Sequence, residues 1–190
     1  MGTEADLAAP DRGAPCGIRF DGRLRWHWWG PERDGWGDRI AACGGRVLGW
    51  DSEEECLAGA ARAGWEYDED QAGDRSVLVS DLGPAQDWLA GRRTWLEVDA
   101  GLNLWNWAGD VSRSTGGAWN PRGRSVDRCY DKLVAANVPY VFHLDSYRPQ
   151  WTAHQLTALR RVLGEAVHVV RAGYGDLPRR ARQKNSSSRR

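Results

Sequence analysis

The sequence predicts one mixed α/β or α+β domain, in which about five helices pack on a mixed β-sheet. Segments with the apolar spacing of a helix alternate with short strand-like segments across residues 16–176. Turn and capping residues separate these segments at distances typical of single elements. Strands and helices that interleave in this way favour a sheet covered by helices.

The composition is that of a folded protein with unstructured ends. The chain has 190 residues, of which 41% are hydrophobic and 27% are charged, enough for one continuous core. The two ends lack apolar periodicity. We therefore predict a disordered N-terminal segment over residues 1–15, a single domain over residues 16–176, and a disordered basic tail over residues 177–190.

The first predicted element is a β-hairpin. Asp21-Gly22, a dipeptide that suits a type I′ turn, lies between segments of alternating apolar residues at 18–20 and 24–28. Residues 46–50 predict a further short strand.

Two helices and another strand are expected next. Ser52, with Glu55 three residues later, forms a capping box that predicts a helix ending near Gly64. Residues 76–79 predict a short strand. Proline suits the first turn of a helix, so residues 84–91 predict a short one.

The richest apolar segment predicts a central helix. Asp99 can cap a helix that runs to Ser114, with two glycines beyond its end. Its apolar side chains cover more than one narrow stripe, which favours packing against several neighbours. We expect Trp105 and Val111 to be buried, and the other elements to assemble on this helix.

The last third predicts two helices and two strands. Ser125 can cap a helix with apolar residues at i, i+3, i+4 and i+7, and residues 139–144 predict a strand. Thr152 and Gln155 form a second capping box. Residues 167–171 predict a final strand inside the sheet.

The sequence lacks the common signatures of enzymes and metal sites. It contains no phosphate-binding glycine loop, GxSxG elbow, HExxH helix or CxxC pair, which lowers the expectation of an enzyme without excluding it. The four cysteines and four histidines are irregularly spaced, so we expect reduced thiols, no metal and no cofactor. The acidic, non-apolar N-terminus predicts a cytoplasmic protein without membrane contact.

Acidic residues between Asp51 and Asp70 form one candidate surface for a partner. The net charge of the chain is zero, so this local excess of acids is a distinct field that can attract a basic protein. The alternative is an ordinary solvated helix, with acids favoured in its first turn. The candidate residues are Glu53, Glu54, Glu66, Asp68, Glu69 and Asp70.

Tryptophan is unusually frequent, with twelve residues in the chain. Core packing must use several of them. Trp28 and Trp29 are adjacent, so on a strand they point to opposite faces, and at least one is a candidate anchor for a protein partner.

A polar stripe on the central helix is the second candidate site. Asn103, Asn106 and Asp110 share one face of this otherwise apolar helix, and Arg113 follows one turn later. These residues can line a ligand pocket, with Asp131, His143 or Asp145 nearby. Alternatively they satisfy each other and their neighbours for stability alone.

The basic tail is a third candidate for a functional segment. Residues 179–190 carry six basic side chains and no acidic ones, a pattern able to contact nucleic acid nonspecifically. Such tails are more often only solvated, so nucleic-acid binding is unlikely from the sequence.

Three segments resemble uncharacterised bacterial proteins of the toxin-immunity type. They are Arg46-Val-Leu-Gly-Trp-Asp-Ser-Glu-Glu-Glu, Leu102-Asn-Leu-Trp-Asn-Trp-Ala-Gly-Asp-Val and Tyr130-Asp-Lys-Leu. The resemblance implies a small cytosolic α/β protein that occludes a cognate toxin, and it implies no catalytic residue.

Two functional hypotheses follow. The first is a noncatalytic binding protein, of the immunity type, that presents acids and tryptophans to a basic toxin domain. The second is a small-ligand-binding protein or enzyme with a pocket around Asn103, Asn106 and Asp110.

Overall fold

A computed structural model describes residues 7–32, 37–72, 79–143 and 145–175 and confirms the mixed α/β fold. A five-stranded sheet and a three-stranded sheet pack with the helices. The strands are β1 (Leu7–Ala8), β2 (Arg12–Phe20), β3 (Arg23–Pro31), β4 (Asp38–Ile40), β5 (Ala42–Cys43), β6 (Arg46–Val47), β7 (Glu66–Tyr67) and β8 (Val79–Asp81). The helices are α1 (Glu53–Ala63), α2 (Glu69–Ala72), α3 (Gly83–Leu89), α4 (Val98–Ser114), α5 (Arg124–Asn137) and α6 (Ala153–Tyr174).

The predicted hairpin is the centre of the larger sheet. β2 and β3 pair antiparallel, and the φ angles of 49° at Asp21 and 73° at Gly22 are those that a type I′ turn requires. β4 pairs antiparallel with β3, while β7 and β8 pair parallel with opposite ends of β2. In the smaller sheet, β5 lies between β1 and β6.

The hairpin separates two hydrophobic cores because successive side chains of a strand point to opposite faces. On one face, Ile18 and Phe20 of β2 belong to the larger core, together with buried residues of α3, α4, α5 and α6. On the other face, Trp28 packs with Ala41 and with Cys56 and Ala60 of α1 in a small core. This division places Trp29 on the side of α4 and Trp28 on the side of α1.

The helix α4 is the central element that its apolar pattern predicts. Leu104 and Val111 are fully buried and Trp105 is 7% exposed. The helix contacts α3, α5, α6 and three strands, β4, β6 and β8. One long apolar helix therefore organises the larger core.

The predicted capping box of α6 is confirmed in full and that of α1 only at its N-cap, because the Glu55 carboxylate accepts from the backbone N–H of Asp51. The Ser52 hydroxyl accepts a hydrogen bond from the backbone N–H of Glu55 at the start of α1. At the start of α6, Thr152 and Gln155 satisfy each other's backbone N–H groups in a full capping box.

Two other predicted caps are wrong. The residue before α4 is Glu97, so Asp99 lies inside the first turn, where its carboxylate accepts a hydrogen bond from Asn137. Similarly, Gly123 precedes α5, and Ser125 lies within the helix. In both cases the helix starts two residues before the predicted position, and the residue at its N-cap forms no side-chain capping hydrogen bond.

Two predicted strands are also wrong. Residues 139–142 form a short 3₁₀-helix that contacts α5 and leaves Tyr140, Val141 and Phe142 exposed, while residue 144 lies outside the described residues. Residues 167–171 belong to α6, because Leu163, Ala166, Val167 and Val170 continue the helical spacing of its buried face. Tertiary burial thus overrides the β preference of valine.

The ends of the chain differ from the prediction where they are described. Residues 7–15, predicted to be disordered, form β1 and the beginning of β2, which pairs with β3 and β7. The strand predicted at 76–79 falls mainly outside the described residues, although β8 begins at Val79. The basic tail, 177–190, also lies outside them. In the described ranges, no helix has both the length and the apolarity to cross a bilayer.

Candidate functional site

The predicted polar stripe of α4 lines a large cleft. The cleft has a volume of about 1070 Å³ and lies between β2 and β3 of the hairpin, α4, and the beginning of α5. Asn103, Asn106, Asp110 and Arg113 all border it. Ligand pockets are usually of about 300–1,000 Å³, so this cleft can hold an organic molecule of ordinary size.

Helix periodicity explains why these four residues share one space. Positions three or four apart lie on the same face of a helix, and the apolar positions between them bury the opposite faces of α4. Gly109 lies on the same side, where its missing side chain widens the cleft. Of the other candidates, Asp131 borders the cleft, whereas His143 and Asp145 do not.

The carboxyl group of Asp110 is the buried polar centre of the cleft. Its Oδ2 accepts a hydrogen bond of 3.1 Å from the indole N–H of Trp29, and its Oδ1 contacts the guanidinium of Arg113. Burial raises the pKa of Asp110 to about 7, a rise that Trp29 and Arg113 oppose and the charge of Asp38 increases. The site therefore contains a carboxyl group that can gain or lose a proton near neutral pH.

Arg113 joins the helix to the edge of the sheet. Its Nε–H donates to the backbone carbonyl of Asp38 in β4 at 3.3 Å. Gly37 has a φ of 117°, and a Cβ atom there would lie 3.1 Å from the guanidinium carbon of Arg113. This position therefore needs glycine both for its backbone conformation and for its contact with Arg113.

Four aromatic residues also border the cleft, and we call them the aromatic wall: Trp29, Trp105, Trp119 and Tyr130. The ring centroids of Trp105 and Tyr130 are 5.3 Å apart, and those of Trp105 and Trp119 are 6.5 Å apart. The hydroxyl of Tyr130 donates to Oδ1 of Asn106 at 3.0 Å. Thus one polar residue of the stripe is fixed to the wall.

Sequence reasoning missed most of the aromatic wall. Trp105 and Tyr130 lie at apolar positions of their helices, so their spacing predicts core packing only. Trp119 belongs to the connection between α4 and α5, where its backbone N–H donates to Ser112 at 2.9 Å. Its buried indole N–H has no hydrogen-bond partner among the described residues. No local pattern indicates that this loop turns back over α4.

Among the described residues that border the cleft, carboxylates outnumber cations. The acidic residues are Asp38, Asp110, Asp127 and Asp131, and the basic residues are Arg113 and Arg122. Asp38, Asp127 and Asp131 outnumber Arg113 and Arg122 even when Asp110 is protonated, so the net charge of this described lining is negative.

A thiol that is protonated at neutral pH also borders the cleft. Cys16 of β2 borders the cleft, and burial together with the nearby charge of Asp110 raises the pKa of Cys16 to about 12. A thiol with this pKa stays protonated at neutral pH, and only the thiolate is a strong nucleophile. The cleft therefore does not resemble the site of a cysteine-dependent enzyme.

The structure does not assemble the predicted partner surface as expected. Trp28 is fully buried, because its ring stacks on Trp65 and its N–H donates to the carbonyl of Pro10. Trp29 borders the cleft instead of the outer surface. Neither tryptophan is an exposed anchor.

The acids of that surface are only partly available. Asp68 is 5% exposed and forms an ion pair of 3.0 Å with Arg12, so it belongs to the fold. Glu53 is partly buried. Four residues remain exposed and form what we call the acidic surface: Glu54, Glu66, Glu69 and Asp70.

Comparison with known proteins adds no assignment. No protein-family model matches the chain, and neither the curated proteins nor the solved structures contain a significant match to it. Within the described ranges, no three His, Cys, Asp or Glu side chains cluster closely enough to hold a metal ion. The geometry of the cleft is therefore the main guide to function.

Proposed function

We propose that this protein binds a small organic ligand in the cleft between α4 and the β2–β3 hairpin. The main support is that four polar residues and the aromatic wall border one cleft of about 1070 Å³. The polar residues are Asn103, Asn106, Asp110 and Arg113. An apolar wall with a few converging polar groups is the usual composition of a ligand pocket.

The polar groups are held in place before any ligand arrives. Trp29 and Arg113 hold both oxygens of Asp110, and Tyr130 holds Asn106. Because these side chains are already ordered, a ligand loses less free energy in ordering them. The same hydrogen bonds also stabilise the fold, so the two roles of the stripe are compatible.

Filling the cleft tests this proposal directly. Gly109 borders the cleft, and a Cβ atom there has only Nη1 of Arg113 within 4 Å, at 3.7 Å. Gly164 of α6 is the matched control, because a Cβ atom there has nothing within 4 Å. Gly109→Leu should therefore occupy the cleft, while Gly164→Leu adds the same side chain elsewhere.

The experiment is a fragment screen by ligand-observed NMR on the two variants and the wild type. We expect a set of fragments that bind the wild type and Gly164→Leu but lose about tenfold or more in affinity for Gly109→Leu. Circular dichroism and thermal unfolding establish that both variants are folded. Absence of any binding fragment, or binding that Gly109→Leu does not weaken, would contradict the proposal.

A second candidate function is binding of a basic protein, as the immunity-type resemblance implies. The acidic surface supports it, because α1, β7 and α2 all pack beside β2 and present exposed carboxylates together. Attraction between an acidic surface and a basic partner raises the association rate and weakens as the salt concentration increases. This role would use a different side of the sheet from the cleft.

Coexpression with the products of neighbouring genes tests the second candidate. A genuine complex should be salt-sensitive, should be lost in the double variant Glu69→Lys and Asp70→Lys, and should persist in Glu165→Lys on α6. A protein that purifies alone in every such coexpression would contradict it.

A further inference from the structure

We propose that the ligand of the cleft is an organic cation, a molecule with an ammonium group on an apolar body. This inference rests on the proposed function and adds the chemical class of the ligand. It depends on the charges of the cleft, on the aromatic rings that border it and on its volume.

The negative charge of the cleft comes from separate elements. Asp38 is the first residue of β4, Asp110 lies on α4, and Asp127 and Asp131 lie on successive turns of α5. In the described part of the chain, no ion pair involves Asp127 or Asp131. Their charges are therefore available to a ligand.

The basic residues of the cleft do not cancel this charge. Arg113 is engaged by Asp110 and by the carbonyl of Asp38. Among the described residues that border the cleft, Arg122 is the other basic residue. An anionic ligand would thus meet a net repulsion, whereas a cation would be attracted.

The aromatic wall adds a second reason. Aromatic faces attract cations, and the attraction is largest for tryptophan. Elsewhere among the described residues, arginine or lysine side chains already cover the rings of Phe20, Trp88, Trp95, Trp151 and Tyr174. The rings of the aromatic wall have no such cover from the described residues.

These two features act together on one class of ligand. A quaternary ammonium group is poorly hydrated and apolar on its surface, so it gains from ring faces and from carboxylates at once. The volume of about 1070 Å³ leaves room for an attached organic body beside Asn103 and Asn106. A bare metal ion would leave most of this space unfilled.

Three molecules of almost equal shape separate charge from size. Choline is the cation, 3,3-dimethyl-1-butanol is its neutral carbon analogue, and 3,3-dimethylbutanoate is an anion of similar skeleton. Binding is measured by titration calorimetry and by tryptophan fluorescence on the full chain. We expect choline to bind at least about tenfold more tightly than the alcohol, and the anion to bind most weakly.

Charge removal provides the residue-level test. Asp127→Asn and Asp131→Asn change exposed side chains, so both variants should fold. Each should weaken choline binding by about three- to tenfold and leave the alcohol unaffected. Asp51→Asn, an exposed carboxylate outside the cleft, is the matched control and should change neither.

The possible outcomes separate this inference from the proposed function. If the alcohol or the anion binds as tightly as choline, the cation inference is wrong while ligand binding in the cleft stands. If none of the three binds but other fragments occupy the cleft, the cation inference is again wrong. If nothing binds there, both proposals fail.

Discussion

The rings of His27 in β3 and Tyr174 at the end of α6 lie parallel, with centroids 5.3 Å apart, and share a hydrogen bond of 3.1 Å. Nδ1 of His27 lies 2.6 Å from the carbonyl of Leu48, and this carbonyl can only accept. Nδ1 is therefore the donor, and Nε2 accepts from the Tyr174 hydroxyl. That hydroxyl in turn accepts from the indole N–H of Trp107. This chain of bonds joins the hairpin to α4 and α6.

Removal of the Tyr174 hydroxyl should destabilise the protein. Tyr174→Phe keeps the ring but leaves Nε2 of His27 and the N–H of Trp107 without this partner, at a cost of about 2 kcal/mol. Chemical denaturation monitored by tryptophan fluorescence measures the change. Tyr140→Phe is the control, because Tyr140 is 73% exposed, and it should have almost no effect. Equal stabilities for the two variants would contradict this prediction.

The buried His27 should make the fold sensitive to acid. Burial lowers the pKa of His27 to about 4, so the unfolded chain takes up a proton near pH 6.5 that the folded protein refuses. Neutral His27 makes its full contribution to the free energy of unfolding above pH 6.5. That contribution falls by about 3 kcal/mol as pH drops to 4. The destabilisation caused by His27→Gln should therefore shrink over that range. The prediction would be contradicted if the free energies of unfolding of wild type and His27→Gln changed in parallel with pH.

Ionisation of Asp110 should lower the stability of the fold as pH rises, which is the opposite of the pH dependence expected from His27. The pKa of Asp110 is raised to about 7, so the folded protein holds a proton that the unfolded chain has released. Above pH 7 the ionised carboxyl group lowers the free energy of unfolding by on the order of 4 kcal/mol. This destabilisation disappears as pH falls towards 4. Asp110→Asn should therefore be more stable than wild type at pH 8, with a difference that decreases in acid.

The control for this measurement is Asp51→Asn, which removes an exposed carboxylate. Its stability difference from wild type should be small across the same pH range. A loss of stability in Asp110→Asn at pH 8 would show that the charge of Asp110 supports the fold.

Two glycines of α6 should respond in opposite ways to alanine. A Cβ atom at Gly173 would lie 2.2 Å from Cγ1 of Val111 in α4, so Gly173→Ala must force the two helices apart. The expected cost is about 1–3 kcal/mol. At Gly164 nothing lies within 4 Å, and Gly164→Ala should stabilise the helix by about 0.5–1 kcal/mol. Thermal unfolding compares them, and a neutral Gly173→Ala would show that the helices do not touch there.

Local signals predicted the elements whose ends are set by nearby residues. The Asp21-Gly22 turn and the caps at Ser52 and Thr152 are confirmed, because the deciding hydrogen bonds join residues only a few positions apart. The strands predicted at 139–144 and 167–171 are wrong. Their valines and aromatics suit either structure, and only the neighbours available in the fold decide between them.

One part of the candidate site also follows from local signals, whereas the other part depends on contacts between distant residues. The positions of Asn103, Asn106, Asp110 and Arg113 on one face follow from the helical repeat alone. That Trp29 and Trp119 meet this face does not, since Trp29 is 81 residues from Asp110 in the chain. The aromatic wall of the cleft could therefore be identified only from the structure.

The amino-acid sequence by itself determined the helix α4, its apolar and polar faces, and the turn that pairs β2 with β3. These depend on backbone geometry and on contacts between near neighbours. Tertiary structure alone decided which face of the hairpin receives Trp28 and which residues surround Asp110. Burial is a property of the assembled chain, so a buried carboxyl group and a cleft lined by residues of several elements arise only when distant segments pack together.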